Sequence, residues 1–548
     1  MSKRIGRAAL AAVVLLAFAA CPKGPPHPSA APGASHSAGA VEDLVAQTRA
    51  LLRKQDEAVW RAWTEGAPVD LHATADEEAA LYTREAIARI DQELARAGDP
   101  LDRRALEALR THFAGELLAR TVAKETHALA TAEASLAFRN GGEQHALRDL
   151  NRVLARERNA LTRQETYASA AKLAQGLSPL IQARQQRIAQ AVSELGYSTP
   201  KEFAAILRRA DLDALSREAA RILEITEPSF RSVLQQLAAR ELRLPFERVR
   251  LRDLPPMFRS RGVDELFPKE AIAERVFSTV RGLGADPSTL PNLKLDARDL
   301  PAKDPRALAL AVDVPGDVRL SVKPLSGLRA QSSYLHELGF ALHAAFTREP
   351  RFALAKLGPA GVGETWSRLF ELLVEDPEWL ERQAKLTGER RNRYLAASAA
   401  FDLYLLRRAA GHVLYEEALA AGAADPKAAF REAMGRALLV PLDDSDVARW
   451  LVEQEEFFAS ADQLQAEMLA HQLQAQLKAR FGAAWWEKRE AGDYLRPLWA
   501  HGNALDAEEL ARAAGEARLS PEPLLLRLTS ALNLPIASSA ETRDDGGD

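Results

Sequence analysis

From Val41 to about Arg240, apolar residues return every third or fourth position, the period of helices with one buried face. "VEDLVAQTRALLRKQDEAVWRAW" puts Leu44, Val45, Leu51, Leu52, Val59, Trp60 and Trp63 on one such face. Trp60 and Trp63 are read as core anchors rather than a ligand platform. "EEAALYTREAIARIDQELARAG" and "LRRADLDALSREAARILEITE" continue the pattern, with no fixed-period repeat that would suggest a solenoid. Proline then becomes frequent. "LRLPFERVRLRDLPPMFRSRGVDELFP" and "GADPSTLPNLKLDARDLPAKDP" predict extended, loop-rich connections around one helix, Lys269 to Gly282. The period shortens in "ALALAVDV", a turn at Pro315 to Asp317, and "VRLSV", which predict a β-hairpin over 308–322. A helix over Gln331 to Phe346 follows, and helices resume from Gly363 to the end. The expected class is mostly α, with one small hairpin or sheet beside the helix at 331–346.

The N-terminus breaks the pattern. "MSKRIGRAALAAVVLLAFAAC" carries Lys3, Arg4 and Arg7, an apolar run from Ala8 to Ala20, then Cys21, the single cysteine of the chain. That run falls short of the roughly 20 apolar residues a membrane-spanning helix needs, but it suits a secretory h-region. One cysteine cannot form an internal disulfide. "AFAAC" resembles the lipobox of bacterial lipoproteins, with Phe18 where leucine is usual. The resemblance implies lipidation of Cys21, export, and a membrane-anchored lipoprotein of a bacterial cell envelope. The other reading is an ordinary signal peptide with an incidental cysteine. Residues 1–20 are thus read as a signal peptide and 21–40 as a lipidated Pro/Ala/Ser tether that cannot bury a core. The body divides into an N-terminal helical region, 41–245, and a second helical region, 246–535, before a frayed tail, 536–548.

The body has ordinary globular chemistry. Apolar residues make up 47% of the 548 positions and charged residues 27%, enough for a large core. Lys+Arg (72) nearly balance Asp+Glu (76), and no basic stripe is interleaved with aromatics, so nucleic acid is excluded as an expected partner.

Chemistry concentrates in "YLHELGFALHAAF", Tyr334 to Phe346. Residues four apart on a helix sit about 40° apart around the axis and about 6 Å along it. Two histidines at that spacing can hold one zinc ion, and a glutamate after the first can take a proton from the metal-bound water. Here His336 and Glu337 are present, but Phe340 stands where the second histidine belongs.

His336–His343, "HELGFALH", resembles the active-site helix of the thimet oligopeptidase and oligoendopeptidase F family of zinc metallopeptidases, H-E-[FL]-G-H-A-[LM]-H. It matches at every position but Phe340. "ETWSRLFE", with Glu364, Ser367 and Glu371, resembles the family's element E-x-x-S-x-x-x-E. The hairpin before the helix and "YLRPLWAHGNALDAEELARAAG" near the C-terminus agree with the order of elements. The resemblance runs from about Leu251 to the end. It implies a large two-lobed body around a groove, with His336 and Glu364 as zinc ligands and Glu337 as general base. Phe340 has no lone pair to offer. His343 lies about 10 Å further along the axis and does not compensate. "EEFFASADQLQAEMLAHQ" also has Phe457, Phe458 and Gln463 where the family favours histidine and tyrosine.

The expected function is therefore a lipid-anchored, exported relative of these peptidases with zinc chemistry lost or weakened. It would keep a groove for peptides or unfolded segments and meet the membrane through its anchor. The alternatives are a working zinc oligopeptidase with an unusual ligand set, and a structural envelope scaffold. Other candidates read blandly. His412 and Glu416 suit a surface i,i+4 contact, and "GPAGVGE" a turn into a helix. Trp485 and Trp486 suit packing. His112, His127 and His145, on separate helical stretches, suit no shared site.

Overall fold

The computed structural model describes residues 37–68, 74–258 and 263–532. The segment read as a signal peptide, Cys21, most of the expected tether and the expected C-terminal tail lie outside them. Among the described residues no helix is long and apolar enough to cross a membrane. The fold is mostly α, with two small sheets.

The first helix, Ser37–Glu65, uses its apolar face twice. Leu44 and Leu51 are buried among the helices Arg84–Leu94 and Pro100–Thr121. Val59, Trp60 and Trp63, at the other end, cover Leu308, Leu310 and Val312. Trp63 Nε1 also donates to the Arg306 carbonyl at 2.9 Å.

The predicted hairpin forms within a three-stranded sheet. In chain order the strands are β1 (Ala137–Asn140), β2 (Glu143–Ala146), β3 (Leu293–Asp296), β4 (Leu308–Asp313) and β5 (Asp317–Ser321). β4 and β5 pair antiparallel, with Leu308 opposite Ser321 and Leu310 opposite Arg319. β3 joins parallel to β5, giving the order β3-β5-β4. Alternation along β4 sends Leu308, Leu310 and Val312 to the first helix, and Ala309 and Ala311 to the core around the residue 328–346 helix. Burial on both faces explains its continuous apolar run. Two readings need correction. Leu293–Asp296, expected as loop, is a strand. The region 41–240 is not wholly helical, because β1 and β2 pair across Gly141 and Gly142, both with positive φ.

The motif helix, Leu328–Phe346, begins three residues before the predicted start and lies between the sheet and a second helix, Ala360–Glu371. The helix predicted at Lys269 forms as Lys269–Arg281 and packs on the same core. Trp485 and Trp486 are buried there too. A separate core joins the helix Leu212–Leu237 to the long helix Gly388–Ala420 and the helix Ala459–Phe481. That shared core crosses the division at 245/246.

Candidate functional site

Gly339 sets the site by allowing the motif helix and the Ala360–Glu371 helix to touch. A Cβ built on Gly339 would lie 2.1 Å from the Trp366 carbonyl oxygen. Glycine is what lets the two backbones meet there. Their contact brings His336 to Glu364, as the resemblance implies. His336 Nε2 stands 3.6 Å from Glu364 Oε2, and Nδ1 stands 3.2 Å from Glu371 Oε2. Ser332, one turn earlier, donates to Glu371 Oε1 at 2.7 Å. His336 is thus bracketed by carboxylates, one against each ring nitrogen.

This arrangement charges the imidazole. Burial alone would lower its pKa, but Glu364, then the hydrogen bond and charge of Glu371, raise it to about 9. In metal-free protein the His336 ring is expected to stay charged through neutrality in an NMR titration and to lose its proton near pH 9. Folding raises this pKa. The ion pairs therefore stabilise the fold fully below about pH 6.5, the ordinary histidine value, and that contribution is lost as pH rises through about 9. A midpoint near 6.5 would show that the carboxylates do not hold the ring.

Behind Glu371 lies a buried charge network absent from the sequence reading. Arg368 pairs with Glu375 at 3.2 Å, Asp402 at 3.3 Å and Glu467 at 3.0 Å, and reaches Glu371 at 3.5 Å. Arg527 closes it from the far side, at 3.0 Å from Glu375 and 2.5 Å from Asp402. These residues come from five helical segments, and only the tertiary fold joins them.

Glu337, whose charge also helps to raise the His336 pKa, reaches the sheet with one oxygen. Its Oε2 accepts the backbone N–H of Ala309, on the outward edge of β4, at 2.8 Å. The Ala311 carbonyl on that edge accepts from Lys356, whose ammonium also holds Asp56 of the first helix at 2.5 Å. The protein's own side chains therefore occupy these two groups of the edge, the Ala309 N–H and the Ala311 carbonyl. Phe340 is half-buried against the core of the motif helix. His343 is buried, with Nε2 3.0 Å from the Gly502 carbonyl oxygen and its ring against Trp366.

The donor set falls short of zinc. A tetrahedral ion with bonds of 2.0–2.1 Å separates its ligands by about 3.3 Å. His336 and Glu364 nearly meet that spacing, but the position one turn on is a phenyl ring. Among the described residues, no three His, Cys, Asp or Glu side chains are placed to hold one metal ion. The residues present do not fit the zinc site that the resemblance implies.

The segment compared with the family's His/Tyr region does border the site. Asp462 lies against Gly361 in the first turn of the Glu364 helix, close enough for its charge and that of Glu364 to repel. Phe458 is buried, and Phe457 and Gln463 are half-buried. "GPAGVGE" opens the Ala360–Glu371 helix. His412 and Glu416 need correction: both are buried, not on the surface. Burial, then Arg408, lowers the His412 pKa, while burial, then Glu455, raises that of Glu416. His145 lies on β2 rather than a helix, and His112 pairs with the Tyr82 hydroxyl at 3.1 Å.

Two cavities, of about 450 and 400 Å³, lie around Trp60 and Arg298 and around Tyr82 and Arg120, and neither is lined by the His336 cluster. No family model matches the sequence, and no curated protein matches it.

Proposed function

We propose that this chain is an exported, lipid-anchored relative of the thimet and oligoendopeptidase F zinc peptidases that no longer hydrolyses peptides through zinc. The observation that carries this reading is His336, held between Glu364 and Glu371, with Phe340 at the place of the second histidine. The residues that would grip a metal serve instead as an internal ion pair. Glu337, the general base that the resemblance implies, has one carboxylate oxygen engaged by the Ala309 N–H of β4. Export and anchoring rest on the N-terminal segment ending at Cys21.

Two observations bear on the alternatives. The 3.6 Å gap between His336 and Glu364 suits a shared ion and favours an active peptidase with an unidentified third ligand. The covered edge of β4 favours a scaffold, because a peptide adding there would have to displace Glu337 and Lys356. Metal analysis of the full chain, purified without chelator, separates them. Little zinc is expected to survive dialysis, and no unstructured peptide should be cleaved above a blank. Near-stoichiometric zinc, with cleavage abolished by Glu337→Gln, would overturn the proposal.

A further inference from the structure

The segment Gln454–Phe458 pins together parts of the chain that are far apart in sequence. Arg184, on the helix Ser178–Glu194, pairs with the Glu456 carboxylate. Gln185 Nε2 donates to Gln454 Oε1 at 2.5 Å. Arg208, the last residue of the helix Pro200–Arg208, pairs with Asp462 through Nη1. Its Nε donates to the Phe457 carbonyl, and its Nη2 to the Glu456 carbonyl at 3.3 Å. The Phe203 ring meets Phe457 edge-on, with centroids 5.1 Å apart. From below, Glu416 accepts the Phe458 N–H at 2.6 Å.

The closed segment is held under strain. Phe457 and Phe458 have φ of 50° and 54°, two successive non-glycine residues in the left-handed region. Beneath them, both ring nitrogens of buried His412 find no hydrogen-bond partner in the protein, nor does Oε2 of Glu455 within the segment itself. Strained backbone and unpaired buried polar groups both favour a second arrangement in which the segment lifts.

The place that Arg208 fills has the form of a binding site. One carboxylate and two carbonyl oxygens surround a single guanidinium, whose planar fork suits such an acceptor set. Asp462 supplies the charge and borders the Glu364 helix, so the site opens beside the candidate centre. We propose that Gln454–Phe458 is a latch, that Arg208 holds it closed by filling a guanidinium site made of Asp462 and the Glu456 and Phe457 carbonyls, and that an arginine side chain of a bound polypeptide takes the same place when Arg208 leaves it. The proposal rests on the non-catalytic reading only in taking the ligand to be a polypeptide.

Hydrogen exchange on the full chain tests it. In Arg208→Ala, amides of residues 454–462 are expected to exchange about tenfold faster, with residues 466–477 unchanged. Arginine amide, used as the probe, should restore their protection in the variant. Exchange at the wild-type rate would overturn the latch, and faster exchange that saturating arginine amide leaves unchanged would overturn the guanidinium site. Should Arg208→Ala not fold, Arg208→Lys keeps the charge, loses the fork, and is read in the same two ways. No zinc or cleavage measurement enters, so this proposal and the proposed function can fail separately.

Discussion

Phe340→His is expected to give the protein a zinc site, with near-stoichiometric metal in the variant and little in the parent after the same dialysis. His336 Nε2 and Glu364 Oε2 already stand 3.6 Å apart, near the spacing of two ligands on one ion. A histidine one helical turn after His336 projects from the same face and adds the third donor. Metal-free, the variant should be less stable than the parent. Replacing a half-buried phenyl ring by a smaller polar one costs about 1–2 kcal/mol, below the 3–5 of a fully buried Phe→Ala change. Zinc at a hundred times its dissociation constant should then add about 2.7 kcal/mol. Thermal unfolding with and without zinc reads this as a rise for the variant and no change for the parent. Cleavage should lag behind binding, because the 454–463 segment has no tyrosine to stabilise an oxyanion. A variant that takes up no zinc, with His336 and Glu364 still paired, would mean that Phe340 does not occupy a ligand position.

What could be read from the chain was set by local geometry. His336 and Glu337 follow from spacing along one helix, and the meeting of His336 with Glu364 from a motif that spans two. The β4–β5 hairpin was legible because its apolar run ends in a strong turn. The missed elements had weak local signals. β3 is four residues, Leu293–Asp296, flanked by proline-rich chain, and is a strand because β5 offers it a parallel partner. β1 and β2 are equally short, and their one cue was the pair Gly141–Gly142. His412 and Glu416 looked exposed because an i,i+4 polar pair usually is, but the long helix Gly388–Ala420 is covered on several sides. Arg208 reaching Asp462, and Arg368 gathering Glu375, Asp402 and Glu467, join residues that share no local pattern. An arginine on an amphipathic helix reads as solvated until the neighbouring helix is in place.

Gly339→Ala is expected to lower stability by more than about 3 kcal/mol, at or beyond the upper end of ordinary overpacking. The added carbon would lie 2.1 Å from the Trp366 carbonyl oxygen, 2.8 Å from its carbon and 3.0 Å from Ser367 Cα. All three are backbone atoms of a buried helix, so no side chain can turn aside and the two helices have to separate. Gly435, inside the helix Pro426–Leu438, is the control, because a Cβ there meets nothing within 4 Å. Gly435→Ala should gain about 0.5–1 kcal/mol from helix propensity alone. Opposite signs in denaturant titration would tie the loss to the helix contact rather than to glycine replacement in general. The separation also draws His336 away from Glu364 and Glu371, so its pKa should fall from about 9 toward the ordinary value. Stability and histidine titration thus report one displacement by two routes. A Gly339→Ala protein that unfolds with the parent and keeps its His336 titration would mean that the helices are not in contact, and the ion pair built on that contact would lose its basis.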